Sequence, residues 1–250
     1  MRGIILGVAT ATLTACGAGQ PDVDAGDRNA SGRGGAGAVQ PTGSAAPGTI
    51  PESAERRAEQ RTLLFVGTSL TAGYGVGADV AYPAVLQQMI DSTGLPFHVV
   101  NAGISGETSA GGLRRIDWSL QQRADVLVLE LGANDALRGL DPGEMRRNLD
   151  GILSRARAAY PDIALVIVGM EAPPNLGEDY GRRFRAVFEE LAEKHNAALV
   201  PFLLEGVAAE PSLNIEDGIH PNAEGHRILA RTVWRWLEPV LRERAAHASG

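Results

Sequence analysis

Asp217-Gly218-Ile219-His220-Pro221-Asn222 sets a carboxylate three residues ahead of an imidazole in one short loop. That separation lets Asp217 orient the His220 ring, fix its tautomer and stabilise the imidazolium formed when the ring accepts a proton. A base held in this way needs a nucleophile to act on. The stretch Gly67-Thr68-Ser69-Leu70-Thr71-Ala72-Gly73-Tyr74-Gly75 offers a small hydroxyl residue among glycines, directly after an apolar run. Ser69 reads there as a nucleophile and, taken alone, equally as the cap of a following helix. No Gly-Lys-Ser/Thr follows, which excludes a phosphate-binding P-loop, and Gly73, Gly75 and Gly77 are wrongly spaced for a dinucleotide turn. The other histidines, His98, His195, His226 and His247, fall in a strand, at a helix end, within the last helix and in the tail, and read as structural.

Two further loops carry groups suited to a developing negative charge. In Asn101-Ala102-Gly103-Ile104-Ser105-Gly106-Glu107-Thr108 the Gly103 amide can approach a ligand without obstruction by a side chain, although a plain turn also needs glycine. In Gly132-Ala133-Asn134-Asp135 the Asn134 amide stands just past an apolar run, where it can donate to an oxyanion. The alternative is that Asn134 or Asp135 caps the next helix. Glu130, inside that apolar run, is out of character and implies a local pairing.

Only a scaffold that brings four distant segments to one edge makes a site of these residues. Apolar runs at Leu63–Val66, Phe97–Asn101, Val126–Leu131, Ala164–Val168 and Ala198–Phe202 are too short for helices and predict five strands. Amphipathic stretches near 80–93, 109–122, 142–159, 178–195 and 222–242 predict the helices between and after them. This alternation implies an α/β fold, a five-stranded parallel sheet between two helical layers, with reactive groups at the carboxyl ends of the strands.

The chain of 250 residues has room for one such domain and a tail. A net charge of -7 is the wrong sign for a nucleic-acid footprint, so none is expected. Cys16 is the only cysteine, which excludes an internal disulfide and a cysteine-rich metal site. It follows a short apolar run, Ile4–Leu13, of signal-peptide length, and Leu13-Thr14-Ala15-Cys16 resembles the lipobox of bacterial lipoproteins. We therefore expect residues 1–16 to be a lipoprotein signal with Cys16 as the lipidation site. Residues 17–60, rich in Gly, Ala and Pro, are expected to form a disordered tether, 61–242 the folded domain, and 243–250 a flexible tail.

The four blocks around Ser69, Gly103, Asn134 and His220, in this order, resemble the SGNH or GDSL hydrolase superfamily over about residues 61–240. Asn134-Asp135-Ala136-Leu137-Arg138-Gly139 and Tyr180-Gly181-Arg182-Arg183-Phe184 are similar to its arylesterase, acyl-CoA thioesterase I and lysophospholipase subgroup. The resemblance implies a flavodoxin-like sheet, a catalytic set of Ser69, His220 and Asp217, and an oxyanion hole from the Ser69 and Gly103 amides and the Asn134 side chain. It implies an acyl-enzyme on Ser69, a small ester or thioester substrate and no metal or organic cofactor. Together with Cys16 it implies a place in the cell envelope, anchored to a membrane. Competing readings are a carbohydrate O-deacetylase and a noncatalytic lipid-binding lipoprotein. One departure from the family pattern is Thr68, which stands where Asp is usual; its hydroxyl is expected to accept from nearby backbone amides.

Overall fold

The computed structural model describes residues 60–246; Cys16, the segment expected to be a tether up to residue 59 and the last four residues lie outside them. Each apolar run forms a strand: β1 (Arg61–Gly67), β2 (Phe97–Gly103), β3 (Val126–Glu130), β4 (Ala164–Val168) and β5 (Ala198–Val200). They pair in parallel in the order β2-β1-β3-β4-β5. Strand β3 is buried on both faces and β1 from Leu63 onward, which is why their sequences run apolar without alternation. At the edge, β2 has one neighbour and carries His98 and Asn101.

Five helices match the amphipathic stretches: α2 (Tyr82–Thr93), α3 (Ser109–Ser119), α5 (Pro142–Ala159), α6 (Glu178–His195) and α7 (Ala223–Ala246). Helices α3, α5 and α6 pack in succession and α2 packs on α7, which gives the two outer layers. The last helix runs four residues past its expected end, into what was expected to be tail, and buries Leu237 and Leu241. No helix among the described residues is long and apolar enough to cross a membrane. Two short helices, α1 (Ser69–Ala72) and α4 (Ala133–Leu137), escaped the periodicity because so few residues cannot display a 3.6 repeat.

The strand order places the site. From β1 the chain crosses over to β2 on one side, and from β2 it returns to β3 on the other, so the loops after β1 and β3 diverge at the carboxyl edge. A crevice opens at such a reversal. Ser69 follows β1 and Asn134 follows β3.

Candidate active site

Ser69 is the first residue of α1, immediately past the end of β1. Its Oγ lies 2.9 Å from His220 Nε2, and His220 Nδ1 lies 2.6 Å from Asp217 Oδ2. An ionised carboxylate can only accept, so Nδ1 carries the proton and Nε2 is left to accept from the Ser69 hydroxyl. Asp217 Oδ1 accepts from the Ile219 and His220 amides, each at 3.0 Å. These bonds, the Ile219 amide first and the His220 ring next, hold the Asp217 carboxyl down to about 2. The Tyr74 ring, 4.6 Å from the His220 ring between centroids, covers the imidazole.

Backbone bonds give the 214–222 loop its shape. Ile215 N–H donates to His220 O at 2.8 Å, Gly218 N–H donates to Ile215 O at 2.9 Å, and Gly218 has φ 73°, a left-handed value that suits glycine. Pro221 stands two residues ahead of the last helix. It forms an isolated bridge with Asn214, and Asn222 caps α7 by accepting from the Glu224 and Gly225 amides.

The Asn134 side chain makes no hydrogen bond among the described residues, and neither it nor Asp135 caps α4, whose cap residue is Gly132. Asp135 instead reaches α3, taking the Ser109 amide at 2.8 Å and the Ser109 hydroxyl at 2.5 Å. That contact ties the loop after β3 to the helix after β2. Arg138 adds a second tie by donating to Gly106 O at 3.0 Å.

Gly103 does not sit as the sequence suggested. Its amide donates to Asn101 Oδ1 at 3.0 Å. Moreover Ile104 N–H is the one that points to β1, donating to Gly67 O at 2.9 Å. Successive amides of a strand point to opposite sides, so the Gly103 N–H faces the open edge of the sheet and away from Ser69. Glycine is required at 103 for a different reason: a Cβ there would lie 2.4 Å from Ala72 N, inside α1. Gly106, three residues on, has φ 77°, and its N–H donates to no group among the described residues. The signal that distinguishes the two glycines is distance from the strand end. A residue still in the ladder has its amide direction fixed by the sheet, whereas one in the loop can aim it.

The other histidines have structural partners. His226 Nδ1 accepts from Tyr82 N–H at 3.2 Å, and burial, with His220 nearby, lowers its ring to about 4, so it stays neutral. His195 pairs with Asp150 at 2.7 Å, His98 Nε2 lies 3.3 Å from Thr62 Oγ1, and His247 is outside the described residues. Thr68 reverses its expected role. Its hydroxyl donates to Glu130, and the acceptor that holds the turn is the Glu130 carboxyl.

The GDSL-like lipase/acylhydrolase family matches residues 65–228. The esterase TesA of Pseudomonas aeruginosa is 39% identical over 187 residues, 74% of this chain and 92% of that protein. Thioesterase 1/protease 1/lysophospholipase L1 of Escherichia coli K12 is 38% identical over 187 residues, 74% of this chain and 88% of that one. The crystal structure of the psychrotrophic esterase EstA from Pseudoalteromonas sp., inhibited by monoethylphosphonate, superposes with a TM-score of 0.69 at 32% identity, covering 73% of this chain and all of EstA.

Proposed function

This chain belongs to the GDSL-like lipase/acylhydrolase family and is a serine esterase, and from that premise we propose that Ser69, His220 and Asp217 carry its reaction. The observation that supports this most is the unbroken line from Ser69 Oγ through His220 to Asp217, with links of 2.9 and 2.6 Å. Ser69 Oγ attacks the carbonyl carbon of the ester while its proton passes to His220 Nε2. Collapse of the tetrahedral adduct leaves the acyl group on Ser69 and returns the proton from His220 to the departing oxygen or sulfur. A water molecule then gives its proton to His220 and attacks the acyl-enzyme, and Ser69 recovers its hydrogen from the imidazolium. Asp217 stays ionised and stabilises the imidazolium in both halves.

Three donors are free to meet the oxyanion. The Ser69 amide is in the first turn of α1, where a helix leaves its N–H groups without partners, and the Asn134 amide is unengaged. We assign the third donor to the Gly106 amide, since that of Gly103 is turned to Asn101. Such donors act in the transition state more than on the ground state.

The substrate we propose is a small aryl or acyl ester or thioester. The names of the relatives support this, as do Tyr74, Ile104, Leu137 and Ile219, each about half exposed and each from a different connecting segment at this edge. Such apolar side chains suit an acyl or aryl group better than an acetylated sugar. We further propose that a lipid on Cys16 anchors the enzyme in the cell envelope through the 17–60 segment, a reading supported by Leu13-Thr14-Ala15-Cys16.

The test is hydrolysis of p-nitrophenyl esters of increasing chain length, beside acyl-CoA, lysophospholipid and an acetylated sugar, with fluorophosphonate labelling of the same protein. We expect ester hydrolysis and a single adduct on Ser69. Folded protein that takes the label elsewhere, or binds lipid without hydrolysing any substrate, refutes the assignment.

A further inference from the structure

Glu130 ends β3 as a fully buried carboxyl that the reaction above does not use. Its Oε2 accepts from the Thr68 amide and from the Thr71 hydroxyl, both at 2.8 Å, and its Oε1 accepts from the Thr68 hydroxyl at 2.9 Å. Thr71 Oγ1 is also 2.9 Å from Tyr82 Oη. Because the one Thr71 hydroxyl proton goes to the carboxylate, Tyr82 is the donor in that pair, and a directed line runs from Tyr82 through Thr71 to Glu130. No Lys, Arg or His among the described residues pairs with Glu130. The groups facing it are Thr68 and Thr71 from the nucleophile turn and Tyr82 from α2, behind which stands the His226 ring of α7. Room for the carboxyl is made by Gly67, where a Cβ would fall 2.7 Å from Oε2 and 2.1 Å from Thr71 Oγ1.

A buried carboxyl without a cation is costly, and it is tolerated here because the Thr68 amide and the Thr68 and Thr71 hydroxyls donate to it. Its cost shows in the acidity: burial pushes the Glu130 carboxyl up to about 7. What the carboxyl provides is position. It grips the residue before Ser69 and the residue two after it, and it grips them from the strand that leads to Asn134 four residues on.

We infer that Glu130 is a positioning residue for ester hydrolysis: it clamps Thr68 and Thr71 so that the Ser69 hydroxyl stays on His220 and the Ser69 amide stays in register with Asn134. The inference rests on the esterase reading of the same site. It explains Thr68 as well. Oε2 is filled by donors, and Thr71 Oγ1 already takes the Tyr82 proton, whereas Thr68 Oγ1 has no partner beyond Glu130. When the carboxyl is protonated at Oε1, the Thr68 hydroxyl can turn and accept, and both bonds at Oε2 survive. A glutamine fits the same pattern, its amide nitrogen donating to Thr68 Oγ1 and its oxygen accepting at the Oε2 position.

The experiment compares wild type with Glu130→Gln, Glu130→Leu and Glu130→Asp in the full chain. It reads melting temperature, kcat and KM on a p-nitrophenyl ester, and the rate of fluorophosphonate attack on Ser69. Glu130→Gln should stay within about threefold of wild type in kcat, because the clamp survives. Glu130→Leu, which removes the acceptor, and Glu130→Asp, which keeps the charge but ends a methylene short of both threonines, should each lose at least about tenfold in kcat and labelling rate with KM within about twofold. The Asp variant keeps the test open if the Leu variant does not fold. A folded Leu or Asp variant with wild-type kcat, or a Gln variant that falls as far as they do, overturns the inference. Wild-type protein that hydrolyses no ester overturns the reading beneath it instead.

Discussion

Replacing Gly103 by alanine should damage the nucleophile turn from outside, without touching any reacting group. The added Cβ would stand 2.4 Å from Ala72 N and 2.8 Å from Thr71 C. Comfortable separations between such atoms begin at about 3.5 Å, so one backbone or the other must retreat by roughly 1 Å. Both obstructing atoms are main chain, and no rotamer change can absorb the conflict. Strand β2 is fixed to β1 by its ladder, so α1 is the part that yields, together with the Asn101 bonds to Thr71 O (2.7 Å) and from Gly103 N (3.0 Å). Overpacking of this kind costs about 1 to 3 kcal/mol. In a domain of this size that lowers the melting temperature by about 2 to 12 °C. Ser69 begins the displaced helix, and a misplacement of about 1 Å at a reacting group can cost about 100-fold in rate. Gly103→Ala should therefore lose about 100-fold in kcat with KM little changed. The assay is calorimetry on the purified variant, kcat and KM on a p-nitrophenyl ester, and the rate of fluorophosphonate labelling. Gly94→Ala, just past the end of α2, is the control. There a Cβ meets nothing within 4 Å, and the penalty is that of a left-handed alanine, about 1 to 2 kcal/mol, with kcat unchanged. If Gly103→Ala melts and turns over like wild type, the packing argument is refuted.

Asn134→Ala should lower kcat about 100-fold to 1,000-fold, or about 3 to 4 kcal/mol, while KM stays nearly constant; an unchanged kcat on the same ester panel would remove Asn134 from the oxyanion hole. Thr68→Val deprives buried Glu130 of one donor and should cost about 1 to 3 kcal/mol in urea unfolding, with a fall in kcat; a variant equal to wild type in both would show the hydroxyl to be idle. Stability should depend on pH with opposite signs at two carboxyls. Asp217 is held at about 2 when folded, below its ordinary value, so its contribution is complete above about pH 4 and fades as pH falls towards 2; Glu130 keeps its proton up to about 7, so stability declines as pH rises from about 4.5 to 7. Unfolding series on Asp217→Asn and Glu130→Gln should each flatten one of these slopes, and slopes identical to wild type would contradict the assignments. Cys16→Ser should move the protein from the membrane fraction to the soluble one with specific activity intact, and a wild type already soluble after export would dispose of the lipid anchor.

The blocks around Ser69, Asn134 and His220 were legible because each depends on short-range rules. A hydroxyl at a strand tip, an amide past an apolar run and an acid three residues before an imidazole are all local in the chain. Central strands read as unbroken apolar runs and the long helices as 3.6 periodicity, so the layers and the parallel sheet followed from pattern. Directions and partners were a different matter. Whether a glycine amide faces Ser69 is set by the side of the strand on which it lies, which is why the Gly103 amide is turned to Asn101 instead. Tyr74 shows no signal in its own segment, because its contact with His220 joins positions 146 residues apart in the chain.

Sequence by itself determined which groups this protein brings together: a serine hydroxyl, an imidazole, the carboxylate beside it and the scaffold that delivers them to one edge. Only the tertiary structure decided what holds the turn around Ser69, because Glu130 meets Thr68 and Thr71 across about 60 residues of chain and no local pattern encodes that meeting. A lone acid in an apolar strand looks like an error until the fold surrounds it with donors. Burial then makes each of those bonds strong and the absence of any one of them costly, and that is a property of the assembled core.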